Sequence, residues 1–172
     1  MKSLRRWNRE MPFNHLLFES LLPGITRAED RKSGCHSSAN LDHRPGATVL
    51  LFHLDDLMTR KRLGLIEDKC CDYLYFLKHR NRTSLIFVEL KSTNVQAAKQ
   101  QILNAHYAIR DKVSHVKSRS SRVLAVIVSS LGTPENAKGI QKEMKAEGIE
   151  LYFGRSRGNG SCSINELVKD LM

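Results

Sequence analysis

Three side chains near the ends of two apolar segments are of the types that hydrolyse phosphodiesters. Asp72 lies within the apolar residues 70–77, Glu89 lies within the apolar residues 84–90, and Lys91 follows directly. Both segments are rich in the aromatic and aliphatic residues that favour strands. Side chains alternate between the two faces of a strand, so Glu89 and Lys91 point the same way. The alternative is a pair of strand-end charges that only face solvent.

The two segments are predicted to form a β-hairpin whose loop is centred on Arg80 and Asn81. In that register Asp72 lies directly opposite Glu89, on the same face, with Cβ atoms about 4.5–5.5 Å apart. Opposed carboxylates repel each other, and a divalent cation between them would remove the conflict. Mg²⁺ prefers hard oxygen ligands and takes one or two protein carboxylates together with substrate phosphate. A register shifted by one residue would separate the two acids onto opposite faces.

An Asp in one strand, a Glu-x-Lys in its hairpin partner and a helix after them resemble the PD-(D/E)xK nuclease superfamily, over roughly residues 47–154. The resemblance implies that Asp72 and Glu89 ligate Mg²⁺ or Mn²⁺, with the carbonyl of Leu90 as a further ligand. It also implies that Lys91 assists the attacking water.

The same resemblance suggests two more site residues. Many members place a glutamine from the next helix at the site, and Gln101 is the candidate, with Gln96 and Gln100 as alternatives. Many also use an acid from the first helix, for which Glu19 is the candidate; an exposed helical glutamate explains it equally well. Cys71 stands where the motif has proline, a change that does not touch the chemistry.

The predicted elements alternate as they do in an α/β domain. Residues 123–130 are a continuous apolar run, typical of a strand buried on both faces. The series strand, hairpin, helix, strand, helix, strand predicts a central mixed β-sheet flanked by helices. The resemblance specifies this as a restriction-endonuclease-like core. The predicted strands are 47–54, 70–77, 84–90, 123–130 and 149–154, and the predicted helices are 55–64, 94–113, 134–148 and 163–172.

Residues 1–46 are predicted to belong to the same domain as the nuclease-like core at 47–172. Within them, residues 11–22 are expected to form a short amphipathic helix that ends at Pro23 and Gly24. Residues 24–46 are polar and rich in Ser, Gly, Asn and Pro, which predicts a loop.

The charge of the chain favours polyanionic partners. Lys and Arg number 28 against 18 Asp and Glu, so the net charge is +10, and nucleic acid is the first candidate partner. A soluble protein that is merely basic is the alternative. The candidate phosphate-binding clusters are Lys78, His79, Arg80 and Arg82; Lys117, Arg119 and Arg122; and Arg155 with Arg157.

Other features limit the class of protein. No apolar run is long enough to span a membrane. The four cysteines, among them Cys35, lack metal-ligand spacing, which predicts reduced thiols in a cytoplasmic protein. Tyr73 and Tyr75 alternate with Asp72, so we expect them to pack in the core, away from the site.

The sequence therefore predicts a metal-dependent nuclease, with DNA as the favoured substrate and Mg²⁺ or Mn²⁺ as the cofactor. A catalytically inactive nucleic-acid-binding module with the same fold is the main alternative. A structural or regulatory subunit with an acidic protein partner is the third. A homodimer is compatible with the resemblance, and specificity and pathway are left open.

Overall fold

The computed structural model describes residues 20–30, 37–42, 45–90, 94–112, 121–156, 161–168 and 171 of the 172-residue chain. This part of the chain contains eight strands and four helices. The strands are β1 (Arg27–Asp30), β2 (Ser37–Asn40), β3 (Ala47–His53), β4 (Tyr73–His79), β5 (Arg82–Leu90), β6 (Ser121–Ser129), β7 (Glu150–Arg155) and β8 (Cys162–Ser163). The helices are α1 (Leu57–Leu63), α2 (Val95–Lys112), α3 (Ala137–Ala146) and α4 (Ile164–Leu167).

A five-stranded mixed sheet in the order β3-β4-β5-β6-β7 forms the centre of the fold. β3, β4 and β5 are antiparallel neighbours, whereas β5, β6 and β7 run parallel. Parallel neighbours need a long crossover connection, and α2 and α3 provide the two crossovers. The predicted α/β class, with a mixed sheet flanked by helices, is confirmed.

The hairpin formed by β4 and β5 has the register that the sequence predicts. His79 pairs with Arg82, so Arg80 and Asn81 alone form the turn. Arg80 has a positive φ of 53°, as two-residue hairpin turns require. The polar turn expected over residues 78–83 is therefore shorter than predicted, because the ladder continues through its basic residues.

The two faces of the central sheet are buried against different layers. On the helix face, Leu74 and Phe87 pack with Ile102 of α2. On the small-sheet face, Tyr75 packs with Ala39 of β2. Since neighbouring residues of a strand point to opposite faces, each central strand contributes apolar side chains to both layers.

The prediction that residues 24–46 form a loop is wrong, because this segment contributes β1 and β2. These strands pair antiparallel, and β2 pairs parallel with β8 in a separate three-stranded sheet. The buried Tyr75 hydroxyl accepts the N–H of Ala28 at 3.1 Å and lies 2.9 Å from the carbonyl oxygen of Thr26 and 3.0 Å from that of Ala39. The Tyr75 hydroxyl and strand β8, both distant in the sequence, thus satisfy hydrogen-bonding groups of this polar backbone. No local sequence pattern reveals such partners.

Other predicted boundaries differ from the structure. The strand expected at 70–77 begins at Tyr73, so Asp72 precedes the strand. Of the helix expected at 163–172, the described residues form Ile164–Leu167, and residues 169, 170 and 172 lie outside them. Of the helix expected at 11–22, residues 11–19 lie outside the described residues, and Leu21 forms a bridge to Phe52 instead.

Three of the four cysteines lie in the described part of the chain. Cys70, Cys71 and Cys162 are buried free thiols, as predicted, and Cys35 lies outside the described residues. None of the helices in the described ranges has the length and apolar character needed to cross a membrane.

Gly154 of β7 allows a test of how the two sheets pack. A Cβ at this buried position would clash with Sγ of Cys162 and lie 3.0 Å from Cδ1 of Leu167. We expect Gly154→Ala to lower the free energy of unfolding by about 1–3 kcal/mol, measured by urea denaturation. Gly139→Ala is the matched control: its Cβ meets nothing within 4 Å, and removing a helical glycine should stabilise by about 0.5–1 kcal/mol. Equal stability of both variants would contradict this packing.

Candidate functional site

Asp72 and Glu89 lie at one edge of the central sheet. β5, β6 and β7 run parallel, so their carboxyl ends meet there, beside the amino end of β4 and the carboxyl end of β3. We call this the carboxyl edge. Open α/β sheets bind their ligands beyond the carboxyl ends of the parallel strands.

Asp72 is held by hydrogen bonds on both sides. Tyr73 pairs with Val88 as the first residue of β4. Directly before it, the main-chain carbonyl of Asp72 accepts the N–H of Leu54 at 2.8 Å. Oδ2 of Asp72 accepts the N–H of Leu90 at 2.8 Å. The side chain thereby bridges to the end of β5, so its carboxylate is fixed in position.

Glu89 is a carboxyl group buried at the end of a strand, with only 7% of the residue exposed. The backbone N–H of Asp72 donates a hydrogen bond to its carboxylate. Oε2 of Glu89 has no hydrogen-bond partner within the described residues. Burial raises the pKa of Glu89 to about 9, and the negative charges of Asp72 and Asp55 add to this increase.

The structure therefore brings Asp72 and Glu89 together. The carboxylate of Asp72 is bonded to the residue after Glu89, and the carboxylate of Glu89 is bonded to the backbone of Asp72. These reciprocal hydrogen bonds hold two acids side by side although their charges repel. We call them the carboxyl pair.

Three other residues named from the sequence stay predictions. Lys91 and Glu19 lie outside the described residues. Leu90 is buried, and its N–H is bonded to Asp72; a role for its carbonyl as a metal ligand stays a prediction.

Gln101 contacts the backbone of the segment that leads into Asp72. Its side-chain amide donates to the carbonyl oxygen of Cys70 at 3.2 Å. Gln96 is exposed, and Gln100 donates to Asn104 of its own helix at 2.8 Å. Among the three glutamines considered, Gln101 is the one bonded to the segment that carries Asp72.

Asp55 is a third carboxylate at the carboxyl edge, and the sequence analysis did not select it as a site residue. It follows β3, forms an ion pair with Arg60 at 3.5 Å, and its charge contributes to the raised pKa of Glu89. The available signal was an acid directly after a strand. An acid at this point of the chain can equally cap a helix, and the next residue, Asp56, does cap α1, accepting two backbone N–H groups at 3.0 Å.

A cleft of about 560 Å³ lies beside Asp72. Its described walls come from β1 and the residues before it on one side, and from the ends of β3 and β4 on the other. Glu29, Asp30, Asp55 and Asp72 contribute four carboxylates. Arg27 also lines the cleft and pairs with Glu29 at 3.0 Å. The described walls are therefore acidic although the chain as a whole is basic.

Tyr75 is fully buried, as predicted, and Tyr73 packs against the core on the small-sheet face. Tyr73 is half-buried and lines the same cleft as Asp72. Tyr73 therefore contributes both to the core and to the wall of the cleft.

The carboxyl pair suits a hard cation that keeps some of its water ligands. Among the described residues, no group of three or more His, Cys, Asp or Glu side chains could hold a metal ion. Mg²⁺ needs only one or two carboxylates, and a buried acceptor without a donor, such as Oε2 of Glu89, is costly unless a ligand satisfies it. Burial raises the pKa of the nearby Cys71 thiol, so this thiol stays protonated and is a poor ligand.

The basic clusters lie at different places relative to the carboxyl pair. The turn at Arg80 is at the opposite end of β4, roughly 25 Å from Asp72 at about 3.3 Å per residue. Arg122 makes a bidentate pair with Glu150 at 2.8 and 2.6 Å. Arg155 is exposed at the carboxyl edge. Outside the described residues lie Lys117, Arg119 and Arg157.

Comparisons of the chain with protein-family models, with curated proteins and with solved structures gave no match. The site is therefore argued from its own geometry.

The raised pKa of Glu89 predicts how stability depends on pH. The folded protein keeps the proton on Glu89 up to about pH 9, whereas the unfolded chain loses it near 4.5. Glu89 therefore makes its full contribution to the free energy of unfolding below about pH 4.5, and this contribution is lost as the pH rises towards 9. Glu89→Gln should therefore stabilise the metal-free protein on the order of 3 kcal/mol at pH 7, and hardly at all at pH 4.5.

Urea denaturation in EDTA at several pH values measures this effect. Glu67→Gln, at an exposed position, is the matched control and should show no such dependence. A gain from Glu89→Gln that is the same at pH 4.5 and pH 8 would show that the carboxyl is not buried with a raised pKa.

Proposed function

We propose that this chain is a nuclease that hydrolyses phosphodiester bonds of nucleic acid, with DNA favoured, and that it uses Mg²⁺ or Mn²⁺. The carboxyl pair carries the proposal: at adjacent strand ends the N–H of Leu90 donates to Asp72 and the N–H of Asp72 donates to Glu89, and one buried oxygen has no partner within the described residues. The net charge of +10 supports a polyanionic substrate.

The architecture supports a restriction-endonuclease-like core. Asp72 lies directly before β4, Glu89 lies in β5, and α2 and the parallel strand β6 follow the hairpin. That is the order in which the PD-(D/E)xK motif is arranged in the superfamily that the sequence resembles.

Each site residue has a proposed role. Asp72 and Glu89 would hold the cation, with the carbonyl of Leu90 as a further ligand. When bound, the cation would neutralise charge on the phosphate and favour ionisation of the attacking water. Lys91 would orient that water or stabilise negative charge on the phosphate. Gln101 would position the segment before Asp72 through its hydrogen bond to Cys70.

A nucleic-acid-binding module without turnover is the second candidate function. It is favoured by the finding that the described ranges contain no group of three metal-ligating side chains. Salt-sensitive binding of nucleic acid with no cleavage in any divalent cation would support it. Dimer formation stays a prediction under either function.

Cleavage of labelled DNA by the full chain tests the proposed activity. We expect cleavage that requires Mg²⁺ or Mn²⁺ and stops in EDTA. Asp72→Asn, Glu89→Gln and Lys91→Ala should each lower kcat/KM by about 100-fold or more, because each removes a charge from the reacting centre.

Asp68→Asn and Glu67→Gln are matched controls, since both replace exposed acids, and both should cleave like the wild type. Activity that survives Glu89→Gln or Lys91→Ala, or that persists in EDTA, would refute the assignment of the site.

Cation binding can be measured without any substrate. We expect isothermal titration with Mn²⁺ to show binding that Glu89→Gln weakens about tenfold or more, because the buried oxygen acceptor then carries no charge. The control Glu67→Gln should bind as the wild type does. Unchanged affinity in Glu89→Gln would place the cation elsewhere.

A further inference from the structure

We propose that the cleft beside Asp72 binds the nucleobase next to the scissile phosphate, unpaired and recognised through its exocyclic amino group. This inference rests on the proposed function and names its substrate class. The preferred substrate would be single-stranded or frayed nucleic acid whose base carries an amino group.

The size and position of the cleft favour a single nucleotide. Its volume of about 560 Å³ lies within the range of roughly 300–1,000 Å³ that single small ligands occupy. A continuous duplex, whose major groove alone is about 12 Å wide, is too large to enter it. Asp72 belongs both to the carboxyl pair and to the wall of the cleft. A nucleotide in the cleft would therefore be directly attached to the phosphate at the pair.

One wall of the cleft offers flat and apolar surface. His53 and Tyr73 pair across β3 and β4, with ring centroids 5.1 Å apart and planes inclined by 33°. The Tyr73 hydroxyl donates to the carbonyl oxygen of Glu29 at 2.6 Å, which fixes the ring. Ile25 lines the same cleft and is 46% exposed. Aromatic and apolar surfaces of this kind stack unpaired bases.

The charge of the cleft favours binding of the base and disfavours binding of the phosphate backbone. Its described walls carry four carboxylates and one guanidinium, and that guanidinium is paired with Glu29. Such a surface repels phosphate wherever no cation intervenes. A neutral base with an amino group can instead donate to a carboxylate, as the N4 amino group of cytosine does to Asp or Glu. Glu29, Asp30 and Asp55 are the carboxylates of the cleft outside the carboxyl pair, and a carboxylate that already has a partner can accept a further hydrogen bond. Thymine offers no such donor.

The test compares substrates that differ only in pairing or in this amino group. The full chain with Mg²⁺ should cleave a single-stranded oligonucleotide about tenfold faster or more than the same sequence in a blunt duplex. It should also cleave a cytosine oligonucleotide with kcat/KM about tenfold above that for a thymine oligonucleotide of equal length, the effect of one good base contact.

Variants of the cleft wall provide the second readout. Ile25→Ala and His53→Ala should raise KM for the cytosine oligonucleotide by about tenfold with little change in kcat, because they remove stacking surface. Ile66→Ala is the matched control: Ile66 is 52% exposed and lies outside the cleft lining. Fluorescence anisotropy in EDTA measures binding of the same oligonucleotides where no cleavage occurs.

The outcomes separate this inference from the proposed function. Cleavage that is equal for duplex and single strand, or equal for cytosine and thymine, would overturn the inference and leave the nuclease intact. No cleavage at all, together with binding in EDTA that prefers cytosine and that Ile25→Ala weakens, would support base binding in the cleft and refute the nuclease activity. Binding in EDTA that ignores the base and is unaffected by Ile25→Ala would overturn the inference.

Discussion

The mutual constraint between Asp72 and Glu89 is the interaction on which the rest of the site depends. Two carboxyl groups lie at adjacent strand ends, and one of them is buried, which is costly in the ionised form. Backbone N–H groups compensate in part, since Leu90 donates to Asp72 and Asp72 donates to Glu89. One oxygen of Glu89 still has no partner within the described residues. The fold thus keeps a buried acid with a raised pKa at this position, which is typical of functional sites.

The central sheet supplies the geometry that this constraint needs. The two-residue turn at Arg80 and Asn81 fixes the hairpin register, so the two acids cannot slip onto opposite faces. The ion pair of Arg60 with Asp55 holds a third charge near the same edge. Behind the pair, Gln101 connects α2 to the segment that leads into β4. Core packing on both faces makes these positions rigid, as a preorganised site requires.

The sequence predicted the part of the fold in which short-range patterns and tertiary structure agree. The strand at 123–130 followed from its continuous apolar run, and the hairpin register followed from the position of the turn. That register predicted that Asp72 and Glu89 lie next to each other. The small sheet was missed because its strands are polar and depend on the distant Tyr75 hydroxyl and on β8. Asp55 and the cleft were missed for a similar reason, since both depend on how β1 and the end of β3 approach each other.

The central claim is that the carboxyl pair holds a divalent cation. The most direct measurement is a crystal of the full chain soaked in Mn²⁺, with anomalous scattering to locate the ion. The account predicts an anomalous peak within coordination distance of both Asp72 and Glu89. A well-occupied peak elsewhere, with Glu89 still protonated and buried, would contradict it.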